Sequence, residues 1–330
     1  MVASVWLVAC GQGEPLRLQG AAQGTSWHVV VVQPQPPVQQ ASVQAGIEQI
    51  LANVDAQMST WRDDSELSRF NQSSSTDWFP VSADLAQVVE VAAQVSALSG
   101  GVYDVTVGPL VHLWGFGAKT LEQRVPTDAE VQAVRAAVGY QKLLVQTNPP
   151  ALRKTQPGMV VDLASIAPGY SVDLLARYLE SIGVHDYMVE LGGEVFAKGK
   201  SPRGDDWRIA IEKPLEGERT IQQGMRLAGQ GLSTSGDYRD FFEAGGKRYS
   251  HTLDPATGYP VSHRLASVSV VAANTTLADA YSTLLMAMGE VKGREFADAH
   301  QLSAYFIWRT DKGFDTYATA GFKPLLLEKE

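Results

Sequence analysis

Strand-like and helix-like periodicities are interleaved along this chain without the regular alternation that a parallel sheet requires. That mixture restricts the fold more than any other property of the sequence. Segments rich in β-branched and aromatic residues occur at TSWHVVVV (25–32), DYMVEL (186–191), WRIAIEKP (207–214), ASVSVVAA (266–273) and YFIWR (305–309), and each predicts a strand. MVVDLAS (159–165) predicts a further buried strand running into Pro168-Gly169. Helical spacing is clearest at Val43, Ile47, Ile50, Leu51, Val54 and Met58. Ser82 opens a second helix burying Leu85, Val88, Val89, Ala92 and Val95, and Gly100-Gly101 ends it. Thr127-Asp-Ala-Glu130 is a capping box that starts a short helix. Pro168 suits the first turn of a helix through Leu179, terminated by Gly183, and Thr275 or Thr276 begins another that ends at Gly289. The mixed order predicts an α+β fold with helices packed on a largely antiparallel sheet.

The 330 residues suit one large domain or two intimate ones, and 45% hydrophobic residues suffice for a buried core. No internal repeat stands out, and no domain linker follows the Pro/Gln-rich QPQPPVQQ (33–40). A net charge of −9 without a long basic run disfavours nucleic acid as a partner. The single cysteine, Cys10, excludes an internal disulfide framework and a multi-cysteine metal site. It closes the apolar stretch ASVWLVAC, and Leu7-Val8-Ala9-Cys10 looks like a bacterial lipobox, in which the cysteine thiol is acylated. The start carries few basic residues and the apolar run is short, so a first strand with a buried cysteine is the alternative. On the lipobox reading, residues 1–22 are a signal remnant and tether, residues 23–330 are the folded domain, and the protein is periplasmic and lipid-anchored to a membrane.

Four segments could carry chemistry. Asp279 and Thr283 are four residues apart in TTLADAYSTLLMAMG (275–289), so one helix face offers a carboxylate and a hydroxyl. Both could serve a hard cation such as Mg2+. Equally, the helix dipole favours an Asp near its N-terminus, and a Thr can bond back to its own helix. GQGLSTSGDYRDFF (229–242) reads as a loop of small polar residues able to hold phosphate oxygens, or as a plain surface turn. In YSHTLDPATGYPV (249–261), Pro255, Asp254 and Gly258 predict a rigid turn that fixes His251 and Leu253, either for packing or for reaction. VDLASIAPGYSVD (161–173) brings Asp162 and Ser165 to a helix N-terminus, where a ligand, a cation or an ordinary connection would fit. The glycine-punctuated GVYDVTVGPLVHLWGFG (101–117) is nearly uncharged and suited to lining a pocket. No P-loop and no Rossmann fingerprint is present.

Taken in order, QGTSWHV, MSTWRDDSELSRFN, GGVYDVTVGPLVHLWGFG, VDLASIAPGYSVDLLARYL, VELGGEV, LSTSGDYR, SHTLDPATGYP and LADAYSTLLMAMG resemble the ApbE family of FAD:protein FMN transferases, from about Gln23 to the C-terminal region. The resemblance implies a T-fold-like architecture and a Mg2+-dependent enzyme with FAD as substrate. It implies splitting of the FAD pyrophosphate, transfer of FMN to a Ser or Thr hydroxyl of an acceptor protein, and release of AMP. The acceptors it implies are flavin-bearing subunits of membrane redox complexes. Metal ligands would be Asp279, Thr283 and the backbone carbonyl of Ser165. Flavin contacts would fall on Gln23, Trp61, Val102, Tyr103, Asp104, Asp162, Pro168 and Leu253. His251 matches the histidine needed for transfer, as a base or as an electrostatic stabiliser. Relatives more often carry Lys or Glu at position 168, Met at 23 and Tyr at 61, so Pro168, Gln23 and Trp61 depart from the pattern. Two rival readings are an FAD pyrophosphatase giving FMN and AMP, and a non-enzymatic periplasmic flavin-binding lipoprotein.

Overall fold

Alternating burial along each apolar strand segment demands a layer on either side of a sheet, and the chain supplies both. The computed structural model describes residues 14–328 apart from 35, 118–122, 216, 218–219 and 239. Eight strands form the central sheet: β1 (Leu16–Ala22), β2 (Thr25–Val31), β3 (Tyr187–Leu191), β4 (Glu194–Lys198), β5 (Gln230–Gly236), β6 (Leu265–Ala272), β7 (Ser303–Thr310) and β8 (Gly313–Ala318). They lie side by side in chain order, and every neighbouring pair is antiparallel. The α+β expectation, helices on an antiparallel sheet, is therefore met. The remaining elements are inserted between consecutive strands, apart from a short 3-10 turn at Lys323–Leu325 that follows β8.

The largest insertion, between β2 and β3, contains the helices α1 (Gln40–Met58), α2 (Glu66–Gln72), α3 (Ala83–Leu98), α4 (Gly108–Trp114), α5 (Asp128–Arg135) and α6 (Ala167–Ser181). It also holds a small sheet of Phe79–Pro80, Pro150–Lys154 and Leu143–Thr147. A hairpin of Trp207–Glu212 and Ile221–Leu227 lies between β4 and β5, and a second, Phe241–Ala244 with Lys247–Ser250, follows β5. Helix α7 (Thr275–Ala299) joins β6 to β7.

On one sheet face, Trp27, Val29 and Val31 of β2 meet Val43, Ile47 and Leu51 of α1 and Val172, Leu175 and Leu179 of α6. Val30, between them in sequence, points to the other face and packs with Trp207 and Met225 of the first hairpin. β6 is covered on both faces, which explains its unbroken apolar and small-residue run. Val268 and Val270 meet Leu285 and Met286 of α7, whereas Val271 joins the opposite cluster.

Two short contacts set α7 against its neighbours. A side chain at Gly169 of α6 would collide with the Thr275 carbonyl and Asp279, and one at Gly231 of β5 would collide with the Thr275 amide. The first amides of α7 lack intrahelical acceptors. Asp173 of α6 accepts from the Thr275 N–H at 2.8 Å and the Thr276 N–H at 2.9 Å. The Asn274 side chain caps the Leu277 amide at 2.9 Å. A carboxylate at this end also meets the positive end of the helix dipole.

Several local expectations need correction. Residues 159–165 are not a sheet strand: Val160 makes a single parallel bridge to Val107, and Asp162 donates its N–H to the Val105 carbonyl at 2.8 Å. The chain turns immediately afterwards, where Asp162 Oδ1 accepts from the Ala164 amide. The expected loop at 229–242 begins as β5, because its small hydroxyl residues face α7 rather than water. The polar segment STWRDDSELSRFN (59–71), which reads as a loop, contains all but the last residue of α2, capped by Ser65 and too short to reveal a period. Helix α7 is interrupted at Gly289, with φ of 77°, as the glycine predicted, but helix resumes beyond it to Ala299. Residues 16–22 pair with β2, and Leu7–Cys10 lie outside the described residues.

Replacing Asp173 with Ala would strand buried α7 amides and should cost about 2 kcal/mol. Guanidinium unfolding curves of the two proteins would measure this as a lower midpoint at unchanged slope. An unshifted midpoint would remove Asp173 from the account of how α7 is held.

Candidate functional site

A cleft of about 260 Å³ opens where the α4 loop, the start of α6, the end of β5 and the turn after the second hairpin converge. Val102, Tyr103, Asp104, Asp162 and Ser165 line one part of its wall, and His251, Leu253 and Thr283 line another. A second cavity of about 200 Å³ contains Gln23, Trp61 and Pro168, and the two cavities share Ala164. Asp279 lines neither; it is buried one helical turn before Thr283. Residues nominated from six separate sequence segments are thus brought into one region.

Each wall has a local cause. Gly100 and Gly101, with φ of 64° and 88°, turn the chain out of α3. Tyr103 follows, and its hydroxyl lies 3.0 Å from Ser165 Oγ. Burial, together with the acidic groups nearby, pushes the Tyr103 phenol well above its ordinary value, so it stays protonated. Asp104 Oδ1 accepts from the Thr106 amide and hydroxyl, and Oδ2 accepts from the Tyr140 amide at 2.7 Å. Its carboxylate braces the wall through these bonds. Burial raises the Asp104 carboxyl, and the Thr106 and Tyr140 bonds oppose that rise. Burial likewise raises Asp162.

In the second cavity, Trp61 is 72% exposed, an aromatic face available for stacking. Gln23 adopts a left-handed φ of 53°, and its Nε2 donates to Ser171 Oγ at 2.7 Å. Pro168 occupies the first turn of α6, where its missing N–H costs nothing.

The turn that carries His251 is clamped. Asp254 Oδ1 accepts from the Ala256 amide at 2.9 Å, and the Gly258 amide donates to the Asp254 carbonyl at 2.8 Å. Gly258 has φ of 82°, which the turn requires of a residue without a side chain. Trp114 Nε1 donates to the Gly258 carbonyl at 2.9 Å, Arg135 donates to the Ala256 carbonyl, and the Tyr259 hydroxyl bonds Asp128. Helices α4 and α5 therefore hold the turn from outside. Within it, His251 Nδ1 lies 2.9 Å from the Asp240 carbonyl. A carbonyl can only accept, so Nδ1 carries the proton, and in the neutral ring Nε2 is the acceptor. An imidazole fixed this way at the edge of a cleft can take a proton from a hydroxyl placed beside it.

Behind Thr283, Asp279 Oδ2 accepts from the Gly169 amide at 3.0 Å. Its carboxyl lies well above the usual range, because burial penalises the charge and Glu194 stands close; the Gly169 amide works the other way. A buried carboxyl near other acids suits a site that receives positive charge. The surrounding oxygens of Thr283, Ser235 and Ser165 belong to the hard-ligand class. Among the described residues, no group of three or more His, Cys, Asp or Glu side chains is arranged for a metal ion. A set built on one carboxylate, a hydroxyl and a carbonyl does not need such a group, so these residues fit a Mg2+-like ion.

Sequence reasoning passes over two contributors: Asp240 lines the cleft, and Asp173 fixes the helix that carries Asp279. Ser235, within the 229–236 stretch expected to hold phosphate oxygens, also lines the cleft. Glu194 was visible in VELGGEV without a role, yet its Oε1 accepts from Ser233 Oγ at 3.2 Å, next to the cleft wall. Ser233 itself faces Ser282 inside the protein rather than the cleft.

A family model described as the ApbE family matches residues 23–306. The chain is 44% identical to the FAD:protein FMN transferase of Vibrio cholerae serotype O1, over 97% of this chain and 98% of that protein. It is 42% identical to the FAD:protein FMN transferase of Haemophilus influenzae, over 98% and 95% of the respective chains. Its fold matches the solved structure titled flavin transferase ApbE from Vibrio cholerae with a TM-score of 0.88 at 43% identity, covering 95% of this chain and 99% of that one. The apo Pseudomonas stutzeri flavinyl transferase ApbE matches with a TM-score of 0.88 at 39% identity, covering 96% and 98%.

The raised carboxyl of Asp279 has a measurable consequence. A carboxyl that binds its proton more tightly when folded supports the folded state while protonated. That support is complete below the ordinary value of 3.8 and is lost as pH rises through the raised value. Asp279→Asn removes the charge and keeps an oxygen for the Gly169 amide. The metal-free variant should therefore melt above the parent near pH 8, with the difference closing toward pH 4. A difference independent of pH in thermal unfolding would contradict the assignment.

Proposed function

The chain belongs to the ApbE family and is a flavin transferase, and we propose that it moves FMN from FAD to a Ser or Thr hydroxyl of an acceptor protein and releases AMP. The observation that carries this reading is the convergence of His251 and Thr283 on one cleft. His251 is held on a clamped turn, and Asp279 is buried one helical turn behind Thr283.

The adjoining cavities suit an elongated ligand with an aromatic ring and a charged centre. In this reading the exposed Trp61 offers a stacking face, while Tyr103 and Leu253 line the deeper cleft. Mg2+ would be held by Asp279, Thr283 and the Ser165 carbonyl. When bound, it supplies neutralising charge to phosphate oxygens. His251 does the proton work: with Nδ1 committed to Asp240, Nε2 accepts the proton of the attacking hydroxyl. Tyr103, kept protonated, remains a hydrogen-bond donor at the cleft wall. Asp104 and the Asp254 turn keep these groups in place, which is most of what a phosphoryl transfer asks of its protein.

Acceptors are proposed to be flavin-bearing subunits of membrane redox complexes. The Leu7–Cys10 lipobox pattern supports a periplasmic enzyme with a lipid anchor at Cys10.

Incubation with FAD, Mg2+ and an acceptor carrying a Ser/Thr flavinylation motif should add the mass of FMN to the acceptor, with one AMP released per transfer. Free FMN and AMP without acceptor modification would instead establish a pyrophosphatase. Stable FAD binding with no AMP would leave a flavin-binding protein. His251→Ala should retain FAD affinity and lose about 10²-fold or more in transfer rate. Unchanged transfer by that folded variant would remove His251 from the mechanism. EDTA and Asp279→Ala should each suppress AMP release; activity surviving both would overturn the metal assignment.

A further inference from the structure

Four hydroxyls and one carboxylate form a continuous chain from the protein interior to the cleft. Ser233 Oγ donates to Glu194 Oε1 at 3.2 Å and lies 3.1 Å from Ser282 Oγ. Ser282 Oγ donates to the Asp279 carbonyl at 3.0 Å and lies 2.9 Å from Ser235 Oγ. Ser235 Oγ is 3.4 Å from Thr283 Oγ1, and both residues line the cleft.

A hydroxyl has one proton to give. Ser233 gives its proton to the Glu194 carboxylate and has none for Ser282. The Asp279 carbonyl can only accept. Ser282 gives its own proton to the Asp279 carbonyl and has none for Ser235. Ser235 must then donate inward to Ser282, which turns its lone pairs toward the cleft. A site for phosphate oxygens needs protons at this position; a site for a cation needs lone pairs. Resting on the functional reading above, we propose that Ser235 supplies a further oxygen to the divalent cation beside Thr283, and that Ser282 and the Glu194–Ser233 pair orient it. Neighbouring oxygens on one six-coordinate Mg2+ lie about 3 Å apart, close to the observed Ser235–Thr283 separation. Ser235 is thus assigned to the metal and not to the phosphates of FAD.

Calorimetric titration of the flavin-free, full-length protein with Mg2+ tests this. Ser235→Ala should weaken Mg2+ binding about tenfold or more, on the scale of lost outer-sphere and ligand contacts. Ser282→Ala, which does not reach the cleft, should weaken it severalfold. Ser269→Ala, which removes a partner of Thr234 on the opposite sheet face, should leave it unchanged. Ser235→Cys is nearly isosteric and should shift preference from Mg2+ toward the softer Cd2+, a change that packing alone would not produce. Equal Mg2+ affinity in the parent, Ser235→Ala and Ser282→Ala, with Asp279→Ala defective, would overturn the assignment while leaving the flavin-transfer reading intact. Weaker FAD binding by Ser235→Ala in the absence of any divalent ion would overturn it in favour of a phosphate contact. Unchanged Mg2+ affinity in Asp279→Ala would overturn the cation site as a whole, and this inference with it.

Discussion

The close approach of α6 to α7 is the constraint on which the site depends. Gly169 lets the backbones meet, its amide bonds Asp279, and Asp173 one turn further on holds the start of α7. The same few residues therefore fix two things together: the packing of helices on the sheet and the location of the buried carboxyl. A larger residue at 169 would separate the helices and move Asp279 away from Ser165 and Tyr103. Architecture and chemistry cannot be altered independently here.

The two walls of the cleft are built by different means. The Thr283 side is helical, with Asp279 buried behind it, and is tied to the sheet through hydroxyls of β5. The His251 wall is a turn braced by side chains of α4 and α5, with an aromatic cluster of Trp114, Phe242 and Tyr249 beneath it. Phe116 sits edge-on to the His251 ring, with centroids 6.4 Å apart. Rigid mounting on both sides suits chemistry in which positioning contributes more than covalent participation.

Much of this was legible in the sequence, and for identifiable reasons. The helix faces of α1 and α3 follow from apolar spacing, and the Asp254–Gly258 turn follows from the conformational preferences of Asp, Pro and Gly. The site nominations rest on the ordered resemblance to a family, since no single segment decides among its readings. Misreadings arose where tertiary contacts override local composition. The β5 segment looks like a polar loop because its serines find partners on α7, which no local pattern reports. Asp173 looks like an ordinary mid-helix acid until α7 is placed against it. Residues 159–165 have strand composition, but only Val160 finds a bridging partner before the chain turns.

Because the eight strands of the sheet lie in chain order, most pairings join residues that are near one another along the backbone. The pairing of β2 with β3 is different, since six helices intervene. Its formation must close the longest loop in the molecule, and loop closure is the entropic term that slows non-local pairing. The pairing of Trp27–Val31 with Tyr187–Leu191 therefore carries the largest closure entropy in the sheet, at a seam far in sequence from β5 and α7, whose own contacts are comparatively local.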